Sequence, residues 1–491
     1  MEEQYIKLIF GLKLKQLRLK RKLSLFGLSK LSGLSKSYLN EIEKGKKYPK
    51  TDKIALLAEK LEVPYDSLVS LKLDKNLAPV GALLRSNILK ELPLELFGVK
   101  EGDLIDIVAN APTKVNAFIS TIIEIAKQYN FGRESFYLAS LRSYQEANNN
   151  FFPELEKAAM DFAKAYQIDL RASVASKELE EILIEEYGYT INNENLREHQ
   201  ELDNLRSVFV PKTKTLLVAD HVDEAQRTFI YAKELGYNFL KITERLYTFT
   251  WISFESFDQV LNNFYASYFA GALIIPRTLF RKHIDTFLGK PKFDKTFLTG
   301  IKNHYNASPE SLYQRLTNIL PNDYHLENLF FLRFGHKKGS DRFDINKELH
   351  LTHKHSPHGN ETDEKYCRRW VSIRVLKEIA KNDGEHHMDV QISHYPDDGL
   401  SYLIFASATK DPFKKDEYRS VSIGLQINNE LRKKVHFLED TSIKSFKVGV
   451  TCERCAIKDC EVREAPPTIL NHMERNRRTA VVVEELQQKF S

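Results

Sequence analysis

Cysteine is scarce in this chain, with four among 491 residues, and none of the four precedes position 367. So few thiols exclude a disulfide-framed fold. With no export signal in its Met-Glu-Glu-Gln opening, the chain is expected to be cytoplasmic, its cysteines reduced or metal-bound. A long hydrophobic run is missing as well. The best stretch, residues 265–275, is cut off by Pro276, short of the roughly 18 apolar residues that a span requires, so no membrane partner is expected. What remains is an ordinary globular composition, 42% apolar and 28% charged, in a length that suits about three domains.

Charge is unevenly spread. Residues 1–60 carry 15 Lys and Arg against 6 Asp and Glu, a balance of +9 where the whole chain sums to +5. The remainder is therefore acidic, and the basic end is where a polyanion binds.

The basic segment has helical grammar. Ile6, Ile9, Phe10, Leu14 and Leu17 recur at helical spacing and predict one amphipathic helix. Ser24 offers an N-cap for a short helix through Leu28 and Leu31 that ends at Gly33; Ser35 offers another for residues 36–43, which stop at Gly45. Two short helices about a glycine turn have the form of a helix-turn-helix.

This stretch resembles the Cro/C1-type (XRE) helix-turn-helix family over about residues 5–70, through Leu28, Ser29, Gly33, Leu34, Ser35, Tyr38, Leu39, Ile42, Glu43, Gly45, Pro49, the segment 54–58 and Leu61. Ser29 stands where the family usually has alanine, and Leu25 where it often has glutamine. The resemblance implies that the second short helix enters the major groove of operator DNA. Ser35, Lys36, Ser37, Tyr38, Asn40 and Glu41 are then the candidate readers, and Lys44, Lys46 and Lys47 the candidate phosphate contacts.

From about 80 to 200 the chain reads as mainly helical, with periodic runs at 115–129 and 153–166, a loop at 148–153, and no chemical motif. Two short extended runs, 207–210 and 215–218, then flank Pro211-Lys-Thr-Lys214 and predict a hairpin, and Asp223 with Gln226 opens a helix.

That helix contains Tyr231-Ala-Lys-Glu-Leu-Gly-Tyr237. A zinc-peptidase helix sets two histidines at i and i+4 around a glutamate that activates the metal-bound water. Here Glu234 is kept, but the ligand positions hold Lys233, which repels a metal, and Tyr237, a poor zinc ligand. The hairpin and helix are similar to the ImmA/IrrE peptidase domain, as is the run 266–276, ahead of which active members supply a third ligand, a glutamate. The residues there are Asn262, Asn263, Phe264 and Tyr265. Proteolysis is therefore not expected, and the chain is not expected to be an enzyme; the competing reading is a zinc endopeptidase fused to a DNA-binding domain. Arg227, Lys233 and Tyr237 form a candidate effector-binding set for an anionic small molecule. The plainer alternative is a surface lysine and a packed aromatic.

All four cysteines lie late in the chain. Cys452, Cys455 and Cys460 fall within nine positions, and Cys367 joins them from a distance. Four thiolates complete a tetrahedral zinc or an iron–sulfur site, with His353, His355, His386 and His387 as possible substitutes. The alternative is reduced structural or redox-sensing thiols. Alternating runs at 403–407 and 420–427 suggest a mixed α+β domain.

Residues 448–467, with Cys367, Trp370 and Phe330-Phe-Leu-Arg333, resemble the short-chain fatty acyl-CoA regulator family. Its members join an XRE helix-turn-helix, a degenerate ImmA/IrrE-like domain and this cysteine-bearing domain, and act as bacterial transcription factors responding to short acyl-CoA thioesters. The expected architecture is multidomain: an all-α helix-turn-helix domain over 1–72, a helical connecting region over 73–200, a degenerate zincin-like middle of mainly helical or α+β character over 201–325, and an α+β effector domain over 326–491. The expected partners are operator DNA, a second copy in a homodimer, and a small-molecule effector. Thiol- or metal-sensing remains the alternative signal.

Overall fold

The computed structural model describes residues 2–70, 133–194, 196, 200–202, 205–248, 254–351, 363–411, 414 and 416–490. The helical run expected at 115–129, together with His353 and His355, lies outside the described residues. The chain divides into two compact units, 1–140 with 255–257, and 141–254 with 258–491.

In the first unit, α1 (Glu2–Lys20), α2 (Leu25–Ser32), α3 (Lys36–Glu43), α4 (Thr51–Lys60) and α5 (Tyr65–Val69) surround Phe10, Leu14, Leu28, Leu39, Ile42, Ile54, Leu57 and Leu61. The ends fall where capping chemistry puts them. Ser24 accepts from the Gly27 N–H and Ser35 from the Tyr38 N–H, while Gly33 closes α2 at φ 72°, a left-handed conformation that a side chain disfavours. Ser29, the residue in place of the usual alanine, donates its hydroxyl to the Leu34 carbonyl at 2.6 Å and so ties the turn.

The boundary at residue 140 falls within α6 (Arg133–Ala147), and the second unit continues with α7 (Pro153–Ala165) and α8 (Ser176–Glu185). A small sheet follows, in the order β1-β3-β2, from β1 (Thr190–Asn192), β2 (Ser207–Val210) and β3 (Thr215–Val218). β2 and β3 are the expected hairpin; β1 joins β3 in parallel. Next come α9 (Glu224–Phe239), α10 (Phe257–Ile274), α11 (Arg277–Leu288), α12 (Lys295–His304) and α13 (Pro309–Tyr324).

A six-stranded sheet, in the order β5-β4-β8-β7-β6-β9, is built from β4 (Leu329–Lys337), β5 (Asp344–His350), β6 (His386–Tyr395), β7 (Leu400–Lys410), β8 (Glu417–Gln426) and β9 (Lys444–Lys447). Its pairings are antiparallel except β6 with β9. Alternation along the strands divides its side chains between two cores. Phe330, Leu332, Phe334, Tyr402 and Ile404 pack with α14 (Val371–Asn382). Phe331, Val421, Ile423, Leu403 and Phe405 belong to a larger core that runs from Phe152 to Ile443 and takes in α7, α9, α10 and α13. The middle and C-terminal segments thus share one hydrophobic core.

Arg315 of α13 pins that core. Its guanidinium makes two bonds to Glu156 of α7, at 2.5 and 2.8 Å, and a third to the Ile275 carbonyl at 2.9 Å. Tyr268 donates to the same carboxylate at 2.8 Å. A buried pair is tolerable only when its remaining hydrogen-bonding capacity is met in this way.

Candidate functional site

Three constellations carry the chemistry that the sequence singled out, beginning with α3. Lys36, Ser37 and Asn40 are exposed on it, Tyr38 and Glu41 half-buried, and Lys44, Lys46 and Lys47 exposed just beyond. Leu39 and Ile42 face inward. Ser35 is already engaged, its hydroxyl capping the helix. Lys47 pairs with Glu41 at 2.7 Å, and its ammonium lies 5.9 Å from the Tyr38 ring centre. Glu43 does something else altogether: buried, it takes Nε and Nη2 of Arg18 at 2.6 and 2.8 Å, while Nη1 of Arg18 bonds the Leu23 carbonyl. The Glu43 pair therefore locks α3 to α1 and to the start of α2. Gly11 lets the helices meet, since a Cβ there would lie 2.3 Å from the Ile42 carbonyl oxygen.

The second constellation is the altered peptidase helix, α9. Lys233 and Tyr237, one turn apart, both donate to Oδ1 of Asn263 on α10, at 2.7 and 3.3 Å. Of the four residues ahead of the 266–276 run, Asn263 is thus the one that meets both side chains at the former ligand positions. Glu234, which would have served the metal-bound water, takes Nη2 of Arg245 at 2.5 Å and the Tyr189 hydroxyl at 3.1 Å. Asn238 completes the chain by donating to Tyr189 at 2.9 Å. The Arg245 guanidinium also lies 3.8 Å from the Tyr237 ring centre and 4.6 Å from that of Phe209.

Buried cations and their hydrogen-bond partners fill this space. Lys233, Glu234, Tyr237 and Arg245 are all 7% exposed or less. Burial pushes the Lys233 ammonium down to about 7, the nearby Arg245 and Arg206 act in the same direction, and Glu234 opposes them. For Arg245 burial opposes the charge, but Glu234 overcomes it and holds the guanidinium above its usual value. Arg227 is not part of the group. It bonds Asn193 at 2.9 Å and the Val222 carbonyl at 3.4 Å, so the candidate set of Arg227, Lys233 and Tyr237 is divided, six residues along a helix being about 240° around it. Neither the surface lysine nor the open anion cleft describes Lys233, because packing of α9 on α10 encloses it. Gly236 permits that packing: a Cβ would lie 2.9 Å from the Phe269 ring. Sequence reading missed Arg245 and Tyr189, whose approach to Glu234 is set by the loop after α9 and the connection between α8 and β1, with no local spacing signal.

The third constellation is the cysteine box. Cys367, Cys452 and Cys455 are buried and Cys460 half-exposed. Backbone pairing joins the two segments: Tyr366 bridges Thr451, the Cys367 N–H bonds the Val450 carbonyl at 3.0 Å, and the Cys452 N–H bonds the Lys365 carbonyl at 2.8 Å. Burial pushes the Cys367 thiol up to about 11; N–H groups of Arg369 and Gly449 bond it and work against the rise, while Cys455 and Cys452 are near enough to add to it. Gly449 leaves room for Cys455, whose sulfur would lie 2.8 Å from a Cβ there. Arg463 straps the loop through the carbonyls of Cys452, Cys455 and Ile457. Among the described residues no group of three or more His, Cys, Asp or Glu is already arranged to hold a metal ion. His386 and His387 open β6 beside Lys295, and burial followed by Lys302 and Lys295 pushes His386 down to about 4.

Comparison with known proteins assigns regions to these constellations. Residues 14–68 match the Helix-turn-helix family, residues 184–317 the IrrE N-terminal-like domain, and residues 361–483 the Short-chain fatty acyl coenzyme A regulator, C-terminal family. No match is found among curated proteins. A solved structure described as a Mycobacterium tuberculosis transcriptional regulator is similar with a TM-score of 0.47 and 18% identity, covering 66% of this chain and 92% of that chain. Among the described residues no helix is long and apolar enough to cross a membrane.

Proposed function

We infer that a chain built in this order, a DNA-binding regulator with a helix-turn-helix, an IrrE-like middle and a short-chain fatty acyl-CoA regulator C-terminal domain, changes its hold on operator DNA when a short acyl-CoA thioester binds the larger unit. One observation carries the reading. Between a reading helix with its caps in place and the C-terminal match, the two helix positions where histidines would bind zinc hold Lys233 and Tyr237, and both bond Asn263. That supports a retained scaffold without peptidase activity. The protein acts as a homodimer on a two-fold site, in the compartment that holds the DNA, and the effector discriminates between DNA-competent and DNA-incompetent states.

Operator binding to the gene's own upstream region, titrated with acetyl-CoA, propionyl-CoA and longer thioesters, tests this. The expected result is a shift in operator affinity with one or more of them. No shift with any would remove the effector and leave a DNA-binding regulator of another signal. Zinc-dependent cleavage of a partner protein, lost in Glu234→Gln, would instead establish the peptidase.

The cysteine box is a proposal of its own. What supports it is residue type, since thiolates are the donors that zinc and iron–sulfur clusters take, together with Cys452 and Cys455 lying near enough to Cys367 to push its thiol up; the four thiols would have to draw together on binding. Cys367, Cys452, Cys455 and Cys460 would hold zinc or an iron–sulfur cluster, which would cross-link the two segments and stabilise the domain. Metal analysis should find near one zinc, or iron with visible absorbance, lost in Cys455→Ser. Folded, metal-free protein overturns it.

A further inference from the structure

The last described helix, α15 (Thr468–Lys489), stands on the cysteine loop and buries none of its 22 residues. Its start is fixed there, because the N–H groups of Ile469 and Leu470 both bond the Glu453 carbonyl at 3.1 Å. From Asn471 onward every helical residue is exposed. Such a helix is not self-sufficient, since helical stability in proteins comes mostly from packing an apolar face. Val481, Val482 and Val483 make it less so, three consecutive β-branched residues that lose side-chain freedom in a helix.

The exposed apolar groups are ordered. Met473, Asn476, Ala480, Val483, Gln487 and Phe490 follow one another at alternating spacings of three and four, the spacing of the seam between two paired helices. Met473 is 60% and Phe490 80% exposed. An exposed apolar stripe marks an interaction surface.

Charge selects its occupant. Arg475, Arg477, Arg478 and Lys489 share the helix with Glu474, Glu484 and Glu485. That balance is too even for nucleic acid or an anionic membrane surface, both of which favour a polar face dominated by Lys and Arg. The signs are instead separated along the helix, with the three arginines in its first half and Glu484 and Glu485 in its second. Arg478 pairs with Glu474 at 3.7 Å, whereas Arg477 and Glu484 meet no opposite charge among the described residues. These two flank the stripe on the same side, one heptad apart. A second copy running antiparallel sets Met473 against Phe490, Ala480 against Val483 and the Asn476 amide against the Gln487 amide. In that register Arg477 comes beside the partner's Glu484, and the two-fold axis repeats the pair. Parallel copies would put Arg477 beside His472 and Glu484 beside Thr479, matching no charge.

We propose that α15 pairs antiparallel with α15 of a second copy of this chain, through the stripe from Met473 to Phe490, with Arg477 and Glu484 bridging the copies. The interface rests on the homodimer reading and supplies its contact in the larger unit. Because each helix starts on a cysteine loop, the pair also holds two cysteine boxes at its opposite ends.

Sedimentation equilibrium of the full chain over a range of concentrations, without DNA, tests it. Val483→Asp places a charge in the seam twice per dimer and should weaken self-association about a hundredfold. Arg477→Glu and Glu484→Arg should each weaken it about tenfold by turning attraction into repulsion, and the double reversal should restore it to within a few-fold. Thermal melting establishes that each variant is folded, and Val483→Lys serves if Val483→Asp is not. Mixing Met473→Cys chains with Phe490→Cys chains under mild oxidation should give a covalent dimer above the background of the unaltered chain, and neither variant alone should. A dimer that all of these substitutions leave untouched overturns the interface and leaves the homodimer standing. A chain that is monomeric at every concentration overturns both, and assigns the stripe to another partner. Weakening by Val483→Asp without rescue by the double reversal, or cross-linking of Met473→Cys chains to one another, overturns the antiparallel pairing.

Discussion

At the scale of single residues, the decisive features are buried charges and what meets them. Arg18 and Glu43 are an enclosed bidentate pair, so Arg18→Met alone leaves a carboxylate without its counterion and should destabilise the DNA-binding unit by about 3–5 kcal/mol, whereas replacing both partners with apolar residues should cost much less. A double-mutant cycle by urea unfolding measures the difference. Lys233 carries the opposite prediction. Its folded value of about 7 lies below the ordinary 10.5, so between those values the unfolded chain holds a proton that the folded chain does not, and stability rises with pH across that window. Lys233→Met should therefore be the more stable protein at pH 7, by on the order of 1–3 kcal/mol, with its advantage shrinking toward pH 10. Unfolding curves at both pH values decide it; a less stable variant at pH 7 would mean that the buried ammonium is fully compensated.

At the scale of elements, two helix crossings hold the sites in place. On α3 the exposed Lys36 is proposed to read bases, and the lysines beyond the helix to contact phosphates. Lys36→Ala should relax base preference, while loss of Lys46 and Lys47 should weaken all sequences alike and flatten the salt dependence by about two in slope. Filter binding at several salt concentrations reads both, and undiminished operator binding after all three changes would sink the groove assignment. On α9, Gly236→Ala would push a methyl group into the Phe269 ring, so a loss of about 1–3 kcal/mol is expected from overpacking. Loosening of the Lys233–Asn263 contact should accompany it, visible as faster amide exchange in α10.

At the scale of the whole molecule, short-range chemistry legible along the chain sets where many of its elements begin and end. Caps at Ser24, Ser35 and Asp223, the glycine stop at Gly33 and the hairpin across residues 207–218 are local: each depends on a side chain bonding a backbone group a few residues away or on a conformation that one residue permits. The substitutions at 233 and 237 were equally plain, because ligand chemistry belongs to residue type. Tertiary structure alone decided what replaced the metal. That Asn263 receives both Lys233 and Tyr237, that Arg245 and Tyr189 satisfy Glu234, that Arg227 turns away, and that Arg315 meets Glu156 depends on strands and helices up to 159 positions apart meeting in a shared core. Hydrophobic burial, which has no direction, brings such segments together. Which charges then face each other follows from register and crossing geometry, and no local pattern in the sequence carries that information.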